Sequence, residues 1–253
     1  SVINPIVLTS ATLSTNNDFN FIKKRLGIKD CKEVLLDSPF NYKENVLLYL
    51  PKKIIDPGED FKLFQQQALE HIKEVVNVMG GRTFILFTSY GMLNFITNEL
   101  KASYKGITFL RQGERPRYAL LEEFKKNSNA VLLGTSSFWQ GVDVPGRALE
   151  CVIITKLPFS VPDDPVTEAR TELIESRNGN SFVEYHVPQA IMMFKQGFGR
   201  LIRSKTDRGV VAVLDPRIMT RYYGKSFLAA LPKCKYTSDV NEVSSFFRND
   251  VRS

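Results

Sequence analysis

Thr83-Phe84-Ile85-Leu86-Phe87-Thr88-Ser89-Tyr90 is the stretch from which the fold is read. Its apolar residues run without alternation, as in a strand buried on both faces, and a Thr-Ser turn then leads into an amphipathic helix expected from about Tyr90 to Ser103. The same unit recurs downstream. Ile107 to Leu110 predicts a strand and Tyr118 to Lys126 a helix, while Ala130-Val131-Leu132-Leu133, Cys151-Val152-Ile153-Ile154 and Val210 to Leu214 predict further strands. Helices are expected near Pro188 to Ser204 and Ile218 to Leu231. Upstream, Ile6-Val7-Leu8 predicts a short strand running into a hydroxyl-rich turn, and helical sequence follows from Phe19 to Gly27. Asn45 to Leu50 reads as a strand closed by Pro51, and a helix from Asp60 to Met79 should end at Gly80-Gly81. Pro158 to Pro165 reads as a long loop, and Ser238 to Ser253 as a terminal helix. Apolar strands alternating with helices predict an α/β fold of three layers, with a mainly parallel sheet covered by helices on both faces.

The 253 residues, 43% hydrophobic and 24% charged, describe a globular chain large enough to bury a core. A net charge of +7 favours polyanionic partners such as nucleic acid or nucleotide. Cys31, Cys151 and Cys234 stand far apart without a CxxC spacing, which indicates neither a zinc site nor a disulfide framework and fits a reducing, cytoplasmic setting. No apolar run reaches the roughly 18 residues of a membrane span, and no signal-peptide layout is present. The abrupt start in strand-like sequence predicts a fragment of a longer polypeptide.

Gln196-Gly197-Phe198-Gly199-Arg200-Leu201-Ile202-Arg203-Ser204 carries the chemistry. Wound as a helix, it places Gln196, Arg200 and Arg203 in one sector, with Ile191, Phe194, Phe198, Leu201 and Ile202 opposite. Gly197 and Gly199 flank the polar sector, where small residues admit a large anion; the plainer reading is a solvated amphipathic helix. At the carboxyl ends of strands, where open α/β sheets bind ligands, stand Thr88-Ser89-Tyr90 and Gly134-Thr135-Ser136-Ser137-Phe138-Trp139-Gln140-Gly141-Val142-Asp143. Their hydroxyls suit phosphate oxygens, but Ser and Thr serve equally as helix caps. Trp139 fits either a core or the wall of a site. Basic clusters at Lys23-Lys24-Arg25, at Arg111, Arg115 and Arg117, and at Lys125-Lys126 read individually as solvated surface, and His71 and His186 as structural. Gly224-Lys225-Ser226 ends like a phosphate loop, but Met219 stands where that motif needs glycine.

Taken together these segments resemble the second half of a superfamily 2 helicase, most closely the DinG/XPD-like group. Ser10-Ala11-Thr12-Leu13 looks like motif III and Phe87-Thr88-Ser89-Tyr90 like motif IV. Gly134 to Asp143 looks like motif V, and Gln196 to Arg203 matches motif VI as QxxGRxxR. Leu157-Pro158-Phe159, Asp163-Asp164-Pro165, Asp207-Arg208-Gly209 and Asp215-Pro216-Arg217 are similar to the group as well, and the match runs from about Val7 to Pro232. Gln140 departs from it, standing where the group often has Glu.

The resemblance implies that residues 1–253 form a RecA-like second motor domain. The loop that binds ATP phosphates and the Mg²⁺ site would lie on a first motor domain upstream. Many relatives carry an iron–sulfur cluster there, and some an exonuclease domain; neither can be read from this sequence. By position, Arg200 and Arg203 look like arginine fingers with Gln196 beside them, and Gly141, Asp143 and Gly199 like the rest of the nucleotide cleft. Thr88, Ser89, Thr135 and Ser136 become candidates for contacts to single-stranded DNA, and Ser10 and Thr12 for coupling hydrolysis to the strand. The implied partners are single-stranded DNA and the first motor domain, with ATP the sole small-molecule substrate, no metal ligand in this chain, and no membrane. Two other readings stand beside this one: an ATP-regulated single-strand-binding module of a DinG-like exonuclease, and a stand-alone nucleotide-binding α/β domain.

Overall fold

The computed structural model describes all residues except 1–5, 11, 15–17, 136–137, 139–143, 145, 161–163 and 249–253. The described residues form one seven-stranded sheet: β1 (Val46–Tyr49), β2 (Thr83–Leu86), β3 (Thr108–Arg111), β4 (Ala130–Gly134), β5 (Cys151–Ile154), β6 (Gly209–Val213) and β7 (Lys235–Thr237). Its order is β3-β4-β2-β5-β6-β1-β7, and every neighbouring pair is parallel. The sheet therefore has an amino edge, where all strands begin, and a carboxyl edge, where all end.

The helices are α1 (Asn20–Leu26), α2 (Tyr42–Asn45), α3 (Phe61–Met79), α4 (Tyr90–Ser103), α5 (Arg117–Lys126), α6 (Pro165–Glu175), α7 (Val187–Phe198), α8 (Arg217–Thr220), α9 (Gly224–Ala229) and α10 (Val240–Arg248). Alternate strand residues point into two cores. Val46, Leu48, Phe84, Leu86, Val152, Ile154, Val211 and Val213 pack with α5, α7 and α9, while Leu47, Tyr49, Ile85, Ile153 and Ala212 pack with α3, α4 and α10. A strand covered on both sides has no polar face to show, which is why these segments lack alternation. Local signals set the longer helices: Asp60 caps α3 through Leu63 N–H at 2.9 Å, and Gly80, at φ 66°, ends it in the left-handed conformation that glycine adopts freely.

The expected strands from Asn45 onward, and the helices 60–79, 90–103 and 118–126, are present within a residue or two, as is a terminal helix, anchored by fully buried Val243. Four features differ. Ile6-Val7-Leu8 pairs with no described strand and is largely exposed. The helix expected from Pro188 to Ser204 stops at Phe198. It is preceded by a π-helical turn, Phe182–His186, in which Val187 N–H reaches back five residues to Phe182 O; the wide turn makes room where Pro188 offers no N–H. The segment 218–231 breaks at Arg221, whose extended backbone sends its guanidinium to Asp56, 2.7 Å away. Finally, α6 and β7 have no counterpart in the sequence reading. Asp164 caps α6 through Thr167 N–H at 2.9 Å with Pro165 in its first turn, a start signal that the surrounding prolines obscure. Gly224-Lys225-Ser226 opens α9 and is no phosphate loop: Gly224 is pressed against the carbonyls of Arg217 and Ile218, where a side chain would not fit.

Two buried acids make the fold sensitive to alkali. Burial pushes the Cys151 thiol up to about 12 from 9.0, and burial, with Glu74 and Asp239 nearby, pushes the Tyr49 phenol up to about 12 from 10.0. Both groups hold their protons longer folded than unfolded. Their contribution is complete below the unfolded values and is lost as pH rises through about 9 toward 12. The urea midpoint should stay level from neutrality to about pH 9 and fall above it, and Tyr49→Phe should flatten the fall above about pH 10. A midpoint unchanged up to about pH 11 would contradict this assignment.

Candidate functional site

The described residues of the predicted arginine and hydroxyl groups fall at opposite edges of the sheet. Helix α7 runs from the carboxyl edge to the amino edge, and Gln196 lies in its last turn. At Gly199 (φ −68°, ψ −4°) the helix tightens: Arg200 N–H bonds to Gly197 O at 3.2 Å and Leu201 N–H to Phe198 O at 3.3 Å. Leu201 and Ile202, 2% and 3% exposed, then plug the core from a loop rather than from a helix face. Arg200 is half-buried and Arg203 exposed. The expected grouping of Gln196 with Arg200 and Arg203 on a single helix is thus corrected: only Gln196 is helical.

A buried carboxylate holds this arginine loop. Asp207 Oδ2 accepts the backbone N–H groups of Arg203 and Ser204 at 2.7 and 2.8 Å, and Oδ1 accepts the Ser204 hydroxyl at 2.7 Å. Asn45 donates to Lys205 O at 3.2 Å. Gly209 follows at the start of β6, and a Cβ there would collide with Glu150 O and Leu201 Cδ1. The loop is therefore moulded onto the amino ends of β1, β5 and β6. Asp207 was quoted in the sequence as part of a resemblance, but its bonding role was missed; the Ser204-x-x-Asp207 spacing is the signal. Gln196 carries a buried amide oxygen that accepts no hydrogen bond from any described residue.

Ser10 and Thr12 face each other, with 3.2 Å between hydroxyl oxygens. Two residues on, buried Ser14 accepts a hydrogen bond through its carbonyl from Lys195 Nζ at 3.0 Å. Lys195 precedes Gln196, so the N-terminal segment is tied to the last turn of α7. Burial holds the Lys195 ammonium below its ordinary pKa.

Thr88, Ser89 and Thr135 are at the carboxyl edge, roughly 15 Å from the arginine loop at about 3.3 Å per strand residue. Ser89 caps α4, its oxygen accepting Met92 N–H at 3.4 Å, and it is exposed. Thr135 is 4% exposed; its N–H and its hydroxyl both donate to Gln112 Oε1, at 2.6 and 3.0 Å. Gln112 Nε2 in turn donates to the hydroxyl of exposed Tyr90 at 2.8 Å. Gln112 stands directly after β3, a position that the carboxyl-end rule marks but the sequence reading passed over. Ser136, Gly141, Asp143, Trp139 and Gln140 lie outside the described residues. Of the described residues flanking them, Thr135 follows β4 at the carboxyl edge, and Gly146–Ala148 precede β5 at the amino edge.

The basic clusters are ion-paired surface: Lys23 with Glu33 at 2.7 Å, Arg111 with Glu114 at 3.3 Å, Arg115 with Glu123 at 2.6 Å and Lys125 with Glu122 at 3.4 Å. His71 bonds to Tyr49 and Glu74, and His186 to Ser160 and Thr171, as structural histidines. Among the described residues no three His, Cys, Asp or Glu side chains converge to hold a metal, and no helix is long and apolar enough to cross a membrane.

Residues 72–234 match the family model described as the helicase C-terminal domain, and the chain belongs to that family. The chain is 42% identical over 243 residues to the ATP-dependent DNA helicase YoaA of Haemophilus influenzae, covering 96% of this chain and 38% of the relative. It is 39% identical over 250 residues to the 3'-5' exonuclease DinG of Bacillus subtilis, covering 95% of this chain and 26% of that protein. The chain thus spans well under half the length of these relatives. The structure of Xpd4 from S. tokodaii superposes on 76% of this chain, and on 38% of its own, with a TM-score of 0.55 at 17% identity. That likeness bears out the RecA-like three-layer fold.

Proposed function

We propose that residues 1–253 are the C-terminal motor domain of a DinG-type ATP-dependent DNA helicase. Arg200 and Arg203, with Gln196 beside them, act on ATP held by a first motor domain, and Gly199, Gly141 and Asp143 complete this side of the cleft. Thr88 and Ser89 grip single-stranded DNA at the other edge, with Ser136 as a further contact; Thr135, buried and bonded to Gln112, supports that edge rather than touching the strand, and Ser10 and Thr12 couple the two. The observation that carries this reading is the Asp207 clamp, which spends a buried carboxylate on fixing the backbone of an arginine-bearing loop. Transfer of a phosphoryl group spreads charge over its oxygens, and guanidiniums delivered by a second domain stabilise that charge when the cleft closes. Mg²⁺ and the phosphate loop belong to the first domain in this reading. Backbone contacts through hydroxyls make the DNA grip tolerant of sequence. A cytoplasmic setting follows from work on DNA.

The test is a split site. The isolated chain should hydrolyse no ATP with or without single-stranded DNA, and the longer polypeptide should do so with DNA stimulation. Turnover by the isolated chain that disappears in Arg203→Ala would sink the proposal. A second reading, an ATP-regulated single-strand-binding module of a DinG-like exonuclease, draws on the exonuclease name of the Bacillus relative. It predicts ATP-gated strand degradation without displacement of a paired strand, so a strand-displacement assay on the longer polypeptide separates the two.

A further inference from the structure

Strands β2 and β5 are neighbours, with Leu86 opposite Ile154. Beyond that pair, buried Thr155 donates both its N–H and its hydroxyl to Leu86 O, at 3.1 and 2.9 Å. The two strand ends are thereby locked together, and Thr88 and Lys156 both follow at the carboxyl edge, two residues past the last paired residues of these neighbouring strands. Lys156 then turns its ammonium over the ring of Phe61, 5.1 Å from the centroid. Phe61 opens α3; it stacks at 25° on fully buried Phe64 and is itself 41% exposed.

The charges around Lys156 leave it in surplus. Asp215 is taken by Arg217 at 2.6 Å and also accepts Leu157 N–H at 2.8 Å. Asp56 is taken by Arg221 at 2.7 Å and accepts Gly58 N–H at 2.8 Å. Each nearby carboxylate thus has its own arginine, and Lys156 forms no ion pair or hydrogen bond with any described residue. Its ammonium is half-buried, and burial, with Arg217 nearby, lowers its pKa against the opposing pull of Asp215 and Asp56. A half-buried ammonium held over a partly exposed aromatic ring is a pairing of charge and π-face that single-stranded nucleic acid uses, and a base stacking there displaces the ammonium toward the adjacent phosphate.

We infer that Phe61 and Lys156 form a further single-strand subsite, Phe61 stacking a nucleobase and Lys156 holding the adjacent phosphate, continuing the strand's path from Thr88 and Ser89. This rests on the carboxyl-edge grip proposed above. The strand then crosses the end of β5 as well as those of β2 and β4. Stacking is indifferent to base identity, so the subsite adds grip without sequence preference.

The test uses the full polypeptide and fluorescent oligo(dT), intact or with an abasic stretch. Phe61→Ala should weaken binding to intact oligo(dT) about tenfold, the usual range for loss of one stacked base. Its affinity for the abasic strand should match the parent's, which also verifies folding, and Phe61→Tyr should restore binding. Lys156→Ala should lower the slope of log affinity against log salt by about 0.7, the value of one phosphate contact on a single strand, and Lys156→Arg should recover it. If both alanine variants keep the parent's affinity and salt slope while Thr88→Ala with Ser89→Ala weakens binding, the subsite is wrong and the carboxyl-edge grip stands. If none of these substitutions changes binding, the grip itself is wrong, and the subsite with it.

Discussion

Arg203→Ala in the full polypeptide should reduce DNA-stimulated ATP hydrolysis by about a thousandfold or more, the range seen when an arginine finger is removed from phosphoryl transfer. ATP affinity should change far less, because the charge that the guanidinium offsets develops mainly in the transition state. Arg200→Ala should lower hydrolysis similarly. Stability should be nearly unaffected by Arg203→Ala, since that side chain is exposed while the loop's backbone is held by Asp207. Steady-state ATPase kinetics with a urea melt on the same preparation checks both halves. Unchanged hydrolysis in both variants would remove the arginines from the reaction.

Asp207→Ala should do what neither arginine substitution does, lowering stability and hydrolysis together. It strips the acceptor from Arg203 N–H, Ser204 N–H and the Ser204 hydroxyl in a site only 8% exposed. Hydrogen bonds to a charged group contribute about 1.5–3 kcal/mol each, and three sharing one carboxylate do not add fully, so a loss of about 3 kcal/mol is expected. Hydrolysis per folded molecule should fall about a hundredfold, as when a catalytic group is misplaced by about 1 Å. Asp207→Asn keeps an acceptor oxygen for the backbone groups and should lie between Asp207→Ala and the parent on both measures. A variant that loses stability but keeps its turnover, measured where it remains folded, would make Asp207 a fold residue only.

The sheet and most of its helices were legible because burial on both faces leaves a plain mark. Thr83 to Phe87, Ala130 to Leu133 and Cys151 to Ile154 are continuous apolar runs, and Asp60 and Gly80 bracket α3 in the sequence itself. The arginine loop was read as helix because Phe198, Leu201 and Ile202 keep a helical spacing, and a tight turn can bury the same residues. What stopped the helix was a carboxylate later in the chain taking the N–H groups of Arg203 and Ser204, a competition no local pattern displays. Gln112 went unread for a similar reason: its value lies in reaching across to Thr135 and Tyr90, 23 and 22 residues away.

By itself the sequence determined the layer order, the parallel sense of the sheet and the residue types bearing on phosphate chemistry, because periodicity and composition are local properties. Only the tertiary structure decided that those residues divide between opposite edges of the sheet. It alone showed that Asp207 rather than a helix positions the arginines, and that Lys156 is the cation left over once Asp56 and Asp215 have taken their arginines. Such pairings depend on which strand ends lie side by side. Strand order follows from the packing of the whole sheet, not from any single stretch of chain.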